Sequence, residues 1–333
     1  MSTWSGLYPP QAIFSRRRFR GVALNPPNFE PGSWCGAGKL WIDEDSEEYW
    51  LTSRPRMKPG VRGYAVEIYR SSTYENFTLV TCITKEELSE MINTEVLSIE
   101  NQQLLRDPLT DRYHLYLSVD IVLERKGKQV VSRWDTLLLT SDDPAGPWEP
   151  YGFVIRGDKD YDSGEARDCT IDIVDGRFFC LYKARPRGSR IVHTALAVSS
   201  DGKNWTKLGV PKVDGKPQPD FFLLSGSIYS GSLGPIFIGT ETLVSINGVA
   251  LTKHFSAFVI DYRNMNLERL FRAEWKPFSI FEHPEYPIHT YCDVVYDRLN
   301  DVWLIFVEAV DPIHTKELGW ATEVDRLLLY VSK

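Results

Sequence analysis

One internal period constrains this chain more than anything else in it. Five short apolar segments fall into line, opening at residues 49, 113, 178, 242 and 302 and so spaced by 64, 65, 64 and 60 residues. They begin Tyr49-Trp50-Leu51, Tyr113-His114-Leu115, Phe178-Phe179-Cys180, Thr242-Leu243-Val244 and Val302-Trp303-Leu304. Short runs rich in aromatic and β-branched residues, bounded by turn residues, are strands, and a repeat of this length suits a four-stranded blade with generous loops.

Around these segments the pattern is that of a meander. An apolar strand and a polar turn precede them, as at residues 171–176 before Phe178 and 40–45 before Tyr49, which is hairpin grammar. A third strand follows and runs into a Ser/Asp turn at residues 64–72, 135–143 and 194–202. After two of these turns Trp148 and Trp205 open the outer strand, where a buried indole packs one blade on the next. Helical signal is confined to residues 84–92, where Thr84 and Glu87 have capping-box spacing. The chain is therefore expected to be all-β: a five-bladed β-propeller of four-stranded antiparallel blades, with one short inserted helix near 85–93. Residues 1–333 are expected to form one domain, with 1–33 as an extended leader.

The formal net charge of -7 and pI near 5.5 argue against a nucleic-acid or anionic-membrane surface, which needs clustered Lys and Arg. The basic run Arg16-Arg17-Arg18, with Arg20 behind it, reads as a solvated or phosphate-facing strip. No run approaches the ~18 apolar residues of a membrane span, and the N-terminus lacks a signal-peptide pattern, so a cytoplasmic protein is expected. The five cysteines, an odd set without a Cys-x-x-Cys pair, favour reduced thiols over a disulfide framework or a zinc site.

In a propeller the first strand of each blade lines the central channel, so acids near the start of those strands take priority. Blade two offers Glu100, blade three Glu165 and Asp168, and blade five Asp293. Glycosidic cleavage needs one carboxylic acid to protonate the leaving oxygen and a second carboxylate to activate water or attack the anomeric carbon. Glu165 is the expected general acid, its pKa raised by burial beside other acids. Asp168 and Asp293 compete for the base or transition-state role. Arg167 and Asp168 are adjacent, so on a regular strand only one of them faces the channel. Trp34 and Tyr291 suit stacking on a sugar ring, and His289 suits a hydroxyl or a cation. Arg54 and Arg185 recur after equivalent strands, in Ser53-Arg54-Pro55-Arg56 and Ala184-Arg185-Pro186-Arg187, and suit an anionic subsite. Each also has an ordinary structural reading, as blade-edge ion pairs, packing residues or Pro-stiffened loops. Cys35, Cys169 and Cys292 fall near first-strand starts, where packing is a better reading than a metal cluster.

At these residues the chain resembles the five-bladed glycosidases of glycoside hydrolase families 43, 32 and 130. Residues 140–148 look like the third-to-fourth strand turn of family 43. Arg167-Asp168, with Asp175-Gly176 beyond, looks like the Arg-Asp-Pro block of family 32, with Cys169 in place of Pro. Asn25-Pro26 upstream of Tyr49 looks like the first blade of family 130. The resemblance implies an acid in blade one for families 43 and 32, where this chain has Trp34-Cys35-Gly36. It implies a Glu-Asp-Pro-Arg block for family 130, where this chain has Glu100-Asn101-Gln102-Gln103.

The leading expectation is an exo-acting glycosidase on a short oligosaccharide or glycoside, with a carbohydrate as partner and no cofactor. A phosphate-dependent glycoside phosphorylase is the second reading, and a non-catalytic carbohydrate-binding propeller the third, favoured by the missing blade-one acid. Residues 199–205 approximate the Asp-box turn of sialidases, but five repeats are one short of that architecture.

Overall fold

The computed structural model describes residues 9–36, 38–57, 61–244, 250–273, 288–310 and 323–333. Helix α1 (Pro10–Arg16) and strand β1 (Arg18–Leu24) come first. A meander follows of β2 (Lys39–Asp43), β3 (Glu48–Ser53), β4 (Ala65–Ser71) and β5 (Thr78–Thr84), then helix α2 (Lys85–Ile92). The second meander is β6 (Val96–Arg106), β7 (Tyr113–Lys126), β8 (Gln129–Ser141) and β9 (Glu149–Ile155). The third is β10 (Glu165–Val174), β11 (Arg177–Arg185), β12 (His193–Ser199) and β13 (Trp205–Gly209), joined to the second by one parallel pair, Glu165 with Trp134. Strand β14 (Lys212–Val213) lies on the edge of the fourth: β15 (Phe221–Gly231), β16 (Gly234–Val244), β17 (Ala250–Asp261) and β18 (Asn266–Arg272). The last sheet is β19 (Ile288–Asp297), β20 (Val302–Val310) and β21 (Asp325–Ser332), completed by β1 antiparallel to β21.

The first strands touch in a closed cycle, β2 to β6 to β10 to β15 to β19 and back to β2. The core lies between sheets. Leu115, Leu117 and Val119 of β7 face the first meander, while Tyr116 between them faces the third. Phe178 and Cys180 of β11 face the second meander and Phe179 and Leu181 the fourth. A strand covered on both faces reads as a continuous apolar run, because both sets of its alternating side chains are buried. That is why the middle strands gave the clearest repeat. Trp148 is buried between the first two meanders and Trp205 packs between the second and third.

Side chains also rivet each meander to the next one's backbone. Gln102 Nε2 donates to Thr52 O (3.1 Å) and Gln103 Oε1 accepts from Ile171 N (2.8 Å). Thr194 Oγ1 accepts from Leu223 N (2.7 Å) and Thr240 Oγ1 from Cys292 N (2.9 Å). Asp293 Oδ2 accepts from Leu40 N (2.8 Å), which closes the cycle.

Two expectations need correction. Four of the repeat segments open near the start of a second strand (β3, β7, β11 and β20), but in the fourth meander that strand opens at Gly234 and Thr242 lies near its end. Gly234-Pro235, which opens that strand, has the chemistry of a turn, and residues 245 and 246 lie outside the described residues. The stretch 1–33 is not simply an extended leader: β1 supplies the outer strand of the last sheet, and Ile13 of α1 is buried in the core between the fourth and last sheets. There are thus two helices among the described residues; α2 is the expected one, with Thr84 and Glu87 forming the full capping box.

Candidate functional site

Four of the five first strands share a defect that shapes the site. Antiparallel pairing of β6, β10, β15 and β19 with its neighbour slips between Glu100 and Gln102, Arg167 and Thr170, Leu224 and Gly226, and His289 and Cys292. Such bulges insert extra residues and re-aim side chains. In β10 Asp168 takes a left-handed backbone (φ 57°), and in β15 Ser225 does (φ 46°), conformations that cost a non-glycine residue energy. Gly226 beside Ser225 cannot be replaced cheaply, since a Cβ there would meet Ile238 O at 2.4 Å.

The bulge in β10 overturns the expectation that Arg167 and Asp168 face opposite ways. Arg167 Nε lies 3.2 Å from Glu165 Oε2 and its Nη1 lies 3.6 Å from Asp168 Oδ2, so the three side chains meet. Lys183 Nζ reaches Glu165 Oε2 at 3.6 Å, and Arg185 binds Glu165 Oε1. Burial alone would raise the Glu165 carboxyl, but Arg167, Lys183 and Arg185 outweigh it and hold it at about 2. The raised pKa expected of a general acid at Glu165 is therefore reversed. Asp168 donates its backbone N–H to Ser118 Oγ at 2.7 Å, which fixes the bulge against β7.

Glu100 sits in a cage of guanidinium groups. Arg54 Nη1, Arg56 Nη2 and Arg62 Nη2 lie 3.1, 3.0 and 3.2 Å from its carboxyl oxygens. Burial opposes ionisation, yet these arginines and Arg167 drive the carboxyl well below the ordinary range. Arg56 in turn is lowered to about 10, first by burial and then by Arg54.

The other expected site residues are partly absorbed by structure. Asp293 is buried against Lys39 (Nζ to Oδ1 2.7 Å) and holds the backbone of β2, away from the partners of Glu165 and Asp168. Trp34 lies beneath the Arg56 guanidinium, 4.2 Å from ring centroid to Cζ, and its Nε1 donates to Glu323 O. His289 Nε2 meets the Tyr330 hydroxyl at 2.9 Å. Tyr291 stays half-exposed, with Lys253 Nζ 4.2 Å over its ring and Phe222 beside it. All five cysteines are free, and among the described residues no three His, Cys, Asp or Glu side chains gather as a metal cluster.

Four acids escaped the sequence reading. Glu308, near the end of an apolar run in β20, hydrogen-bonds to Asp325 at the start of β21, and burial followed by the Glu308 charge pushes Asp325 far up. Asp172, further along β10, is raised to about 7, chiefly by burial. Asp120 of β7 is raised by burial beside Arg167, Arg62 and Glu165. The signal available for Glu308 and Asp120 was an acid inside an apolar second strand.

These groups close a circle. Glu165 meets Lys183; Lys183 lies 5.0 Å over the Phe222 ring; Phe222 packs with Tyr291; and Tyr291 carries Lys253. Lys253 acts on Asp325, Asp325 bonds Glu308, Glu308 acts on Arg56, Arg56 binds Glu100, and Glu100 acts on Arg167, which returns to Glu165. All four meanders and the last sheet contribute.

No protein-family model and no curated protein matches the sequence. Solved structures do. One described as a glycoside hydrolase is 12% identical with a TM-score of 0.63, covering 97% of this chain and 94% of that one. The family 43 β-xylosidase/α-arabinofuranosidase CoXyl43, from a compost microbial metagenome, is 10% identical at a TM-score of 0.58, over 93% and 94%. The β-1,2-mannobiose phosphorylase of Listeria innocua is 11% identical at 0.56, over 95% and 96%. The chain shares the β-propeller fold of the glycoside hydrolases.

Proposed function

We propose that this chain is a glycosidase, a single five-bladed propeller over residues 1–333, acting on a short oligosaccharide or glycoside bound inside the circle of charged and aromatic side chains. The observation that carries the reading is the bulge at Asp168. It spends conformational energy to aim Arg167 and Asp168 together at Glu165, which supports a functional and not merely structural role. Asp168 is the carboxylate that activates water or stabilises the oxocarbenium-like transition state. Glu165 stays ionised and organises Arg167, Lys183 and Arg185 around the substrate. Tyr291 offers a sugar ring its apolar face.

The shared fold supports this reading without fixing the reaction, because one fold hosts many chemistries. A phosphorylase reading is favoured by one feature: Arg54, Arg56 and Arg62 surround the single carboxylate of Glu100, and Arg54 Nε finds no hydrogen-bond partner among the described residues. Nitrophenyl glycosides assayed with and without inorganic phosphate test both. Phosphate-independent release, reduced about 10²-fold or more in Asp168→Asn, supports the hydrolase. Strict phosphate dependence transfers the reading to a phosphorylase, and carbohydrate binding without turnover transfers it to a binding module.

A further inference from the structure

With Glu165 held ionised, the proposed hydrolysis lacks a donor for the proton that a departing sugar oxygen requires. We propose that Asp120 is that donor, the general acid of the site, facing Glu165 across the Trp134 ring and Asp168 across Ser118. The inference rests on the glycosidase reading above.

The sheet places Asp120 there. Asp120 on β7 pairs with Trp134 on β8, and Trp134 pairs with Glu165 on β10. Directly paired residues present their side chains to the same face, so the three stand side by side on the continuous sheet of the second and third meanders. Asp120 and Glu165 are two strand spacings apart, about 10 Å between Cα atoms. Between them the Trp134 ring carries the Arg167 guanidinium, 4.3 Å from Cζ to the centroid. Ser118, two residues before Asp120 and on its face of β7, accepts the Asp168 N–H. Asp120 thus lies about 7 Å along the strand from the group that anchors the bulge. Glu165 and Asp120 flank a single indole floor, and Asp168 joins them through the Arg167 guanidinium that lies on it.

The surroundings of Asp120 favour the acid form. It is half-buried, and its Oδ1 is shielded with no hydrogen-bond partner among the described residues. A bare buried oxygen is costly on an ionised carboxylate and far less so on a carboxylic acid. Burial raises its pKa and the Glu165 charge adds to the rise, against Ser132, Arg167 and Arg62. Two carboxyls driven in opposite directions within one site give the division of labour that acid and base catalysis needs. The Glu308–Asp325 pair also retains a proton, but both members are about 1% exposed and so have no access to a bound sugar.

In the reaction, the Asp120 O–H proton passes to the glycosidic oxygen as the bond from the anomeric carbon to that oxygen breaks. Water adds to the anomeric carbon and gives its proton to the Asp168 carboxylate. The products are the free sugar and the alcohol, and exchange with solvent returns the proton from Asp168 to Asp120.

Two measurements on the full chain test the assignment. Carboxyl ¹³C NMR, with the Asp120 signal identified by its loss in Asp120→Asn, should show titration above the ordinary aspartate value of about 3.9 and a lower midpoint in Glu165→Gln. Titration at or below the ordinary value, or no response to Glu165→Gln, overturns the proposal. On any nitrophenyl or alkyl glycoside that the wild type cleaves, Asp120→Asn should lose about 10²- to 10⁴-fold on poor leaving groups, much less on good ones, and lose the alkaline limb of the pH profile. Full activity of Asp120→Asn on a poor leaving group overturns the proposal, while loss in Asp168→Asn alone leaves the glycosidase reading standing. If the wild type cleaves no glycoside, the glycosidase reading falls and the titration alone decides whether Asp120 holds the proton.

Discussion

Replacing Lys39 by Met removes the only counter-charge bonded to Asp293 among the described residues while keeping much of the side chain's length. The ammonium lies 2.7 Å from Asp293 Oδ1, with the two side chains 2% and 0% exposed, and it also binds Gly226 O. One charge pair therefore joins β2, β19 and β15 where the cycle of first strands closes. At an effective dielectric near 20 the attraction at this distance is about 6 kcal/mol, partly offset by the cost of desolvating both ions. Breaking such a pair from one side leaves an uncompensated charge, so Lys39→Met should cost about 3–5 kcal/mol. Adding Asp293→Asn should recover about 2 kcal/mol or more, since the amide oxygen can still accept from Leu40 N–H. Urea unfolding followed by tryptophan fluorescence reads both changes as midpoint shifts at constant slope. A loss below about 1 kcal/mol in Lys39→Met, or costs that simply add in the double variant, would refute this reasoning. The same substitution should raise Asp172 above its value of about 7, because Lys39 opposes the effect of burial there.

Two further predictions concern pH. The folded chain keeps the Asp325 proton where the unfolded chain has lost it, so this group lowers stability as pH rises above about 4, by up to about 1.4 kcal/mol per unit until the folded pKa is reached. Asp325→Asn keeps a donor for Glu308, and urea midpoints at pH 5 and 7 should show its advantage over wild type growing with pH. Glu100 runs the opposite way: its depressed carboxyl stabilises the fold above the unfolded value of about 4.3, and that contribution is lost as pH falls through the folded pKa. Glu100→Gln should cost about 3–5 kcal/mol at pH 7 by leaving buried Arg54 and Arg56 uncompensated, and the same unfolding assay should show the deficit shrinking toward low pH.

The repeat was legible because β3, β7, β11 and β20 are buried on both faces and leave unbroken apolar runs. The fourth repeat was misplaced because β16 opens on Gly234-Pro235, which has the chemistry of a turn. Charge partners were the least legible part. Glu165 looked like an acid with a raised pKa because neighbouring acids were visible along the strand, while Lys183 and Arg185 reach it from β11 across the hairpin. Asp120 is invisible as a site residue until β8 and β10 are known to pair, since among the described residues the strand pairing that joins its meander to the third is the single pair Trp134–Glu165. Asp293 stands near a first-strand start, as expected of a site acid, yet Lys39 is 254 residues away in sequence and neutralises it.

The recurring bulge explains why position along a first strand did not foretell which side chains meet or how their charges pair. On a regular strand alternate residues face opposite sides, so each first strand would give the channel mouth every second side chain and the blade interface the rest. A slip in each of β6, β10, β15 and β19 breaks that alternation. In β10 it brings Arg167 and Asp168 to one place beside Glu165, and the Arg167 guanidinium helps to depress the very Glu165 pKa that crowding of acids would have raised. The first-strand acids Glu100 and Glu165 are thus forced toward the ionised state by the cations gathered around them. The proton then falls to an acid on a second strand, where burial outweighs the more distant cations, and Asp120 is the half-buried acid of that kind whose pKa Arg167, Arg62 and Glu165 all touch.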